Sequence, residues 1–284
     1  VIMNNLYYEE KLHDYKVKIV PKPEDDDPRP MKGTKLTGDS QPHHNIFLCA
    51  MKNSGKTTII YNLLKACADK HTTVVAFVGT LHSDPSWLSI QQWCEDNDIV
   101  FDGYTEFDNL AAWVELLEQE NEEKRIAIDE GQPEKIKTLL RLDDDDDVDE
   151  NGKPRDKRKF RTPKYIFIAD DMGELKNKEW ATLLKRHRHY QAWTISSSQY
   201  FNDLSKPARK NVDLIFIFGK INMEKLKQIH DDANILVPFP TFLAIYKKVT
   251  SKPYNFLWIN TTNGEMRSGF NNKLVVDKRL TQKN

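Results

Sequence analysis

Three cysteines in 284 residues are too few for a disulfide framework, and Cys49, Cys67 and Cys94 show no CxxC spacing that would hold zinc or a redox pair. A reducing, intracellular setting is expected. Long apolar runs are equally scarce, since stretches such as 45-NIFLCA-50 and 73-TVVAFVG-79 fall far short of the roughly 20 residues that cross a bilayer. No membrane span is expected, and the start VIMNNLYYEEKLHDYK lacks the basic head and apolar core of a signal peptide. Missing too is an excess of one charge. With 42 Lys and Arg against 43 Asp and Glu, the net charge is -1, which excludes coating nucleic acid by bulk electrostatics and leaves any DNA contact to local basic patches.

Hydrophobic residues make up 39% of the chain, which at this length is enough for a real core and excludes a wholly disordered protein. Residues 1–44 read as a polar N-terminal arm, because 21-PKPEDDDPRP-30 places four prolines around three successive aspartates. A single domain is expected over 45–260. In it, 45-NIFLCA-50 and 73-TVVAFVG-79 are strands flanking a helix whose Ile60, Leu63, Leu64 and Cys67 share one face. That βαβ unit implies a parallel sheet with a right-handed crossover.

Further expected elements are a helix from Pro85 to about Glu95, a strand at 98–101, and a helix carrying Phe107, Leu110, Ala111, Val114 and Leu117 on one face. Strands follow at 165–169, 192–199 and 213–219, with a helix presenting Trp180, Leu183, Leu184 and His187, and another over 223–233. Segments 241–248 and 254–260 read as β, and 261–284 as a turn-rich C-terminal tail. Between the helix carrying Leu117 and the strand at 165, residues 143–150 hold seven acids and 153–164 hold seven bases against one acid. Charge blocks of that kind suggest a disordered insertion over 143–164 within one domain.

The chemistry concentrates in 50-AMKNSGKT-57, a match to GxxxxGK[ST] with Ala50 in place of the first glycine. In such a loop the backbone N–H groups of Lys52, Asn53, Ser54, Gly55 and the following Lys56, Thr57 and Thr58 wrap phosphate oxygens. Gly55 supplies a conformation that a side chain would block, Lys56 neutralises the β and γ oxygens, and Thr57 ligates Mg²⁺. The bland alternative is an ordinary strand-to-helix turn.

A nucleotide held there needs carboxylates at the same sheet edge, and 165-YIFIADD-171 ends an apolar strand in two of them. Asp170 would hold the metal and Asp171 would polarise the attacking water, with Glu174 in reserve; either aspartate could instead cap the next helix. Gln199, closing the following strand, is a neutral group able to bond γ-phosphate or water without competing for metal. Arg209, in 204-LSKPARKNVD-213, could offset phosphoryl charge if a neighbouring subunit supplied it, and Arg188 in 186-RHRH-189 is the other candidate. His187 reads as a packed histidine, and His43 and His44 as surface residues. Tyr200 and Phe201, near Lys206 and Lys210, could stack on DNA or belong to the core.

In order, AMKNSGKT, 74-VVAFVGTLHSDPSW-87, YIFIADDMGEL, RHRHYQAWTISSSQ and LSKPARKNVD resemble the genome-packaging ATPases of poxviruses, other large DNA viruses and virophages, within the FtsK/HerA group of P-loop ATPases. The resemblance spans about 45–235. It implies an α/β, RecA-like core with a mainly parallel sheet, helices on both faces and added C-terminal strands, the strand ending in Gln199 lying between those of the phosphate loop and the paired aspartates. It also implies ATP and Mg²⁺ as cofactors and Walker B roles for Asp170 and Asp171. Gln199 would be the sensor and Arg209 the finger acting in trans.

The partners implied are double-stranded DNA, a homo-oligomeric ring of five or six subunits, and a capsid or portal-site protein. The setting would be the host cytoplasm or the virion. Other readings of the same residues are a DNA-transfer or extrusion motor, a small-molecule kinase, or a nucleotide-dependent switch.

Overall fold

The computed structural model describes residues 30–38, 41–132, 135, 138–139, 160–173, 175–233 and 235–275. Among them, nine strands form one sheet. In chain order they are β1 Asn45–Cys49, β2 Thr73–Val78, β3 Val100–Tyr104, β4 Tyr165–Asp170, β5 Ala192–Ser198, β6 Leu214–Phe218, β7 Phe256–Asn260, β8 Met266–Ser268 and β9 Asn272–Leu274. Their order across the sheet is β3-β2-β4-β5-β1-β6-β7-β8-β9. The first six are parallel and the last three antiparallel. The sheet is mixed and mostly parallel with helices on both faces, as expected, and β5 lies between β1 and β4.

Strands covered on both faces must be apolar throughout, and β1, β2, β4 and β6 are buried at every residue. One face of the sheet packs α2 (Lys56–Cys67) and α3 (Pro85–Asp96) through Ile60, Leu63, Trp87 and Ile90, against Ile46, Leu48 and Ile168. The other face packs α4 (Leu110–Asp129), α5 (Lys178–Arg186), α7 (Met223–Asp232) and α8 (Phe239–Val249). Among the described residues there are also two short helices, α1 (Thr34–Thr37) and α6 (Lys206–Arg209).

Several expectations need correction. Segment 241–248 is helical, within α8, because Phe242, Tyr246 and Val249 repeat at helical spacing and all three are buried. Its prolines fall at the cap and first turn, where a missing N–H costs nothing. The Tyr246 hydroxyl donates to the Phe218 carbonyl at 2.9 Å and accepts from the Ile221 N–H at 3.0 Å, fixing the helix to the end of β6. The third strand starts at Val100, since Asp98 takes a left-handed turn (φ 56°) closing α3. Ala111 lies on the exposed face of α4.

Residues described on either side of 45–260 also pack on the sheet or extend it. Met31 and Thr37 are buried, and the indoles of Trp193 and Trp258 donate to the carbonyls of Pro42 and Leu36, both at 2.9 Å. Residues 30–38 and 41–44, expected to belong to the arm, therefore pack on the domain. At the other end, β8 and β9 carry the sheet beyond Asn260 into what read as a tail. The charged segment 140–159 lies outside the described residues, whereas 160–164 is part of the domain. Arg161 exchanges backbone hydrogen bonds with Pro30 and Lys32, and the Thr162 hydroxyl donates to Asp69 at 2.9 Å.

Candidate functional site

The phosphate-loop sequence lies at the C-terminal edge of the sheet, between β1 and α2. Ala50 is fully buried against the core, and its N–H reaches the Ser198 carbonyl at 3.0 Å, tying the loop's start to β5. Positive φ falls at Asn53 (60°) and Gly55 (92°) in this loop, not at Ala50, so the missing first glycine costs no backbone freedom. Gly55 opens α2, and the Ser54 hydroxyl donates to the Met51 carbonyl.

Lys56 and Thr57, in the first turn of α2, meet the end of β4. The Asp170 carboxylate is nearly buried and collects four groups. Lys56 Nζ lies 3.4 Å from Oδ1, the Ser197 hydroxyl donates to Oδ1, the Trp87 indole N–H donates to Oδ2 at 3.0 Å, and Thr57 Oγ1 lies 3.5 Å from Oδ2. Asp171 differs in kind. Its left-handed backbone (φ 52°) leaves the side chain about half exposed, ion-paired with the same Lys56, while its N–H reaches the Ser197 carbonyl at 3.3 Å. One carboxylate is thus clamped in place and its neighbour faces the solvent side of the edge. Glu174 lies outside the described residues.

Gln199 follows β5 directly and is half buried beside the phosphate loop, its carbonyl 3.9 Å from Cys49 Sγ. Burial pushes the Cys49 thiol up to about 12, so it stays protonated. Phe201 belongs to the core, packed on Phe47 with ring centroids 5.0 Å apart. Tyr200 is exposed, with Lys225 Nζ 3.6 Å from its ring centroid. Arg209 does not join the constellation within the chain. Its Nε pairs with Asp232 at 2.8 Å, Nη1 donates to the Leu204 carbonyl at 2.8 Å, and the side chain is 13% exposed.

Arg188 sits at the opposite, N-terminal edge of the sheet, 59% exposed, with Nη2 3.2 Å from Asp213. Asp213 also accepts from the Asn45 N–H at 2.8 Å and faces His187 at 3.4 Å. Burial opposes its charge, but hydrogen bonds from His187, Asn45 and Gln41 outweigh it and hold the carboxyl below its ordinary range. His187 is packed, as its helical face indicated. His43 and His44 are buried as well, which corrects their surface reading; the His44 ring stands edge-on to Trp193 at 5.2 Å. Trp87 and Ser197 were not singled out by the sequence, since nothing local marks a tryptophan in α3 or a serine within a strand as a partner of Asp170.

No protein-family model matches the chain. Over 111 residues it is 33% identical to uncharacterized protein 075L of Invertebrate iridescent virus 6, covering 36% of this chain and 43% of that protein. Over 108 residues it is 32% identical to uncharacterized protein 088R of Invertebrate iridescent virus 3, covering 36% and 41%. The match thus spans less than half the length of these relatives. Among solved structures, the genome packaging NTPase B204 from Sulfolobus turreted icosahedral virus 2, in complex with AMP, superposes with a TM-score of 0.47 at 17% identity, covering 83% of this chain and all of that one.

Proposed function

We propose that the protein is an ATP-driven motor that moves double-stranded DNA and packages a viral genome into a preformed capsid. The observation carrying the reading is the convergence of Lys56, Thr57, Asp170, Asp171 and Gln199 on one sheet edge from three separate strand ends. Backbone N–H groups from Lys52 to Thr58 bind the triphosphate and Lys56 offsets its charge. Thr57 and Asp170 present hard oxygens 3.5 Å apart, a donor set that fits Mg²⁺, which draws its remaining oxygens from phosphate and water. When bound, the ion supplies charge neutralisation at the β and γ oxygens.

Asp171, solvent-facing and beside the clamped Asp170, takes the proton of the attacking water. Gln199 bonds that water or the γ-phosphate and reports hydrolysis to β5. A ring of subunits around the duplex places one subunit's arginine at its neighbour's nucleotide. The sequence pattern assigns this to Arg209, which must release Asp232 to act; Arg188, displayed to solvent, is the alternative that exposure favours. A capsid or portal-site protein is the docking partner. The sequence relatives are both virus proteins, which supports the viral setting. Among the described residues no helix is long and apolar enough to cross a membrane.

The test is the ATPase rate with and without long duplex DNA. A translocase is stimulated several-fold. A rate indifferent to DNA and raised by a small-molecule phosphoryl acceptor would replace the motor with a kinase.

A further inference from the structure

The turn 250–255 links α8 to β7 and contains an aromatic residue that the core does not use. Phe256 pairs with Phe218, the last residue of β6, so this turn projects beyond the same edge as the phosphate loop, and β6 is the strand beside β1. Within it, Tyr254 is 70% exposed and has no aromatic partner among the described residues. Its ring nevertheless lies against the loop, for a Cβ added to Gly55 would sit 3.2 Å from Tyr254 Cδ1. The residue also holds a left-handed backbone (φ 64°), uncommon for a bulky side chain and unfavourable unless its surroundings enforce it. Asn255 helps to do so, its N–H reaching the Lys252 carbonyl and its side-chain amide the Val249 carbonyl, both at 3.3 Å.

An exposed ring in a costly backbone conformation gives little to folding, since it removes scant apolar surface from water. What it offers is a flat π-face beside the triphosphate site. We propose that Tyr254 is the shelf on which the base of the bound nucleoside triphosphate stacks, which rests on the phosphate-loop reading above. The phosphates fix one end of the ligand at Lys52 to Thr58, and the base lies against the ring flanking Gly55. Stacking tolerates any base with a wide π-face, so the shelf favours purines over pyrimidines and separates ATP from GTP only weakly.

Calorimetric titration of the wild type, Tyr254→Ala and Tyr254→Phe with ATP and with inorganic tripolyphosphate, both in Mg²⁺, tests this. Removing the ring should raise the Kd for ATP roughly 5- to 100-fold, the range for losing one aromatic face under a base, and leave tripolyphosphate binding unchanged. Tyr254→Phe should bind ATP as the wild type does. Equal ATP affinity in Tyr254→Ala would overturn the shelf. So would equal weakening of ATP and tripolyphosphate, which would make the ring a prop for Gly55. Failure of the wild type to bind either ligand would remove the phosphate-loop reading itself, and the shelf with it.

Discussion

The indole N–H of Trp87 donates to Asp170 Oδ2 at 3.0 Å across 83 residues of chain, joining α3 to the carboxylate that β4 presents beside Thr57. Both side chains are buried. A hydrogen bond to a charged group is worth about 1.5–3 kcal/mol, and its loss without a replacement leaves a carboxylate oxygen under-satisfied.

Trp87→Phe keeps the apolar bulk and removes that donor. The expected outcome is a melting temperature lower by at least about 3 °C, on the usual scaling for a chain of this size. Turnover should fall more than ATP affinity, because Asp170 loses its orientation while Lys56 and the loop stay. Thermal melting and steady-state kinetics on the same preparation check both; unchanged kcat would confine Trp87 to packing.

Much of this site was legible in the sequence because it is local. A strand, a glycine-containing loop and Lys-Thr at a helix start stand within thirteen residues, and Asp170-Asp171 directly ends an apolar run. The Trp87 and Ser197 bonds to Asp170 come from sheet order, which no local pattern encodes. Segment 241–248 was misread because Phe, Ile and Tyr favour strands, while the decisive contact, Tyr246 to Phe218, lies 28 residues away. His44 was misread for a similar reason. Its neighbours in sequence are polar, and burial comes from Trp193.

Burial pulls the His44 imidazole down from 6.5 to about 4, with the nearby Asp213 opposing the shift. The unfolded chain therefore binds this proton more readily, so stability is full above about pH 6.5 and is lost as pH falls toward 4. The window is worth about 3 kcal/mol, one unit being 1.36 kcal/mol. Asp213, held low, gives up its own contribution only below its ordinary carboxylate range. Melting curves between pH 4.5 and 7 should slope for the wild type and flatten for His44→Phe. Parallel curves would mean that another group titrates in this range.

Deleting 143–159 should leave basal ATPase activity intact, since those alternating charge blocks offer little apolar surface to bury. Extending the cut to 162 should lower the melting temperature by several degrees. It removes the Arg161 backbone pairing with Pro30 and Lys32 and the Thr162 bond to Asp69, each worth about 1 kcal/mol. Equal melting of the two deletions would show that the 160–162 contacts add nothing.

An arginine supplied in trans is worth roughly 10³ to 10⁵ in rate in other phosphoryl-transfer systems. If the chain assembles into the ring proposed above, Lys56→Ala subunits lack a sound phosphate site but keep both candidate arginines. Mixing them with Arg209→Ala subunits should restore turnover that neither shows alone if Arg209 is the finger. Rescue only by Arg188→Ala would assign the role to the exposed arginine. No rescue by either, with assembly intact by light scattering, would place the charge compensation in cis.

Helix α7 is held near both ends, by Lys225 over the Tyr200 ring and by Asp232 against Arg209. Because Tyr200 and Arg209 are also joined through the chain, these contacts close a small cycle of bonds around the turn after β5. Within such a cycle the ordering entropy is shared: once one contact has formed, the other closes a shorter loop and costs less. The two are therefore mutually reinforcing, and the loss of either loosens its counterpart at the far end of a ten-residue helix. The residue that follows Gln199 and the arginine ten positions on from Gln199 are thus linked through a single helix.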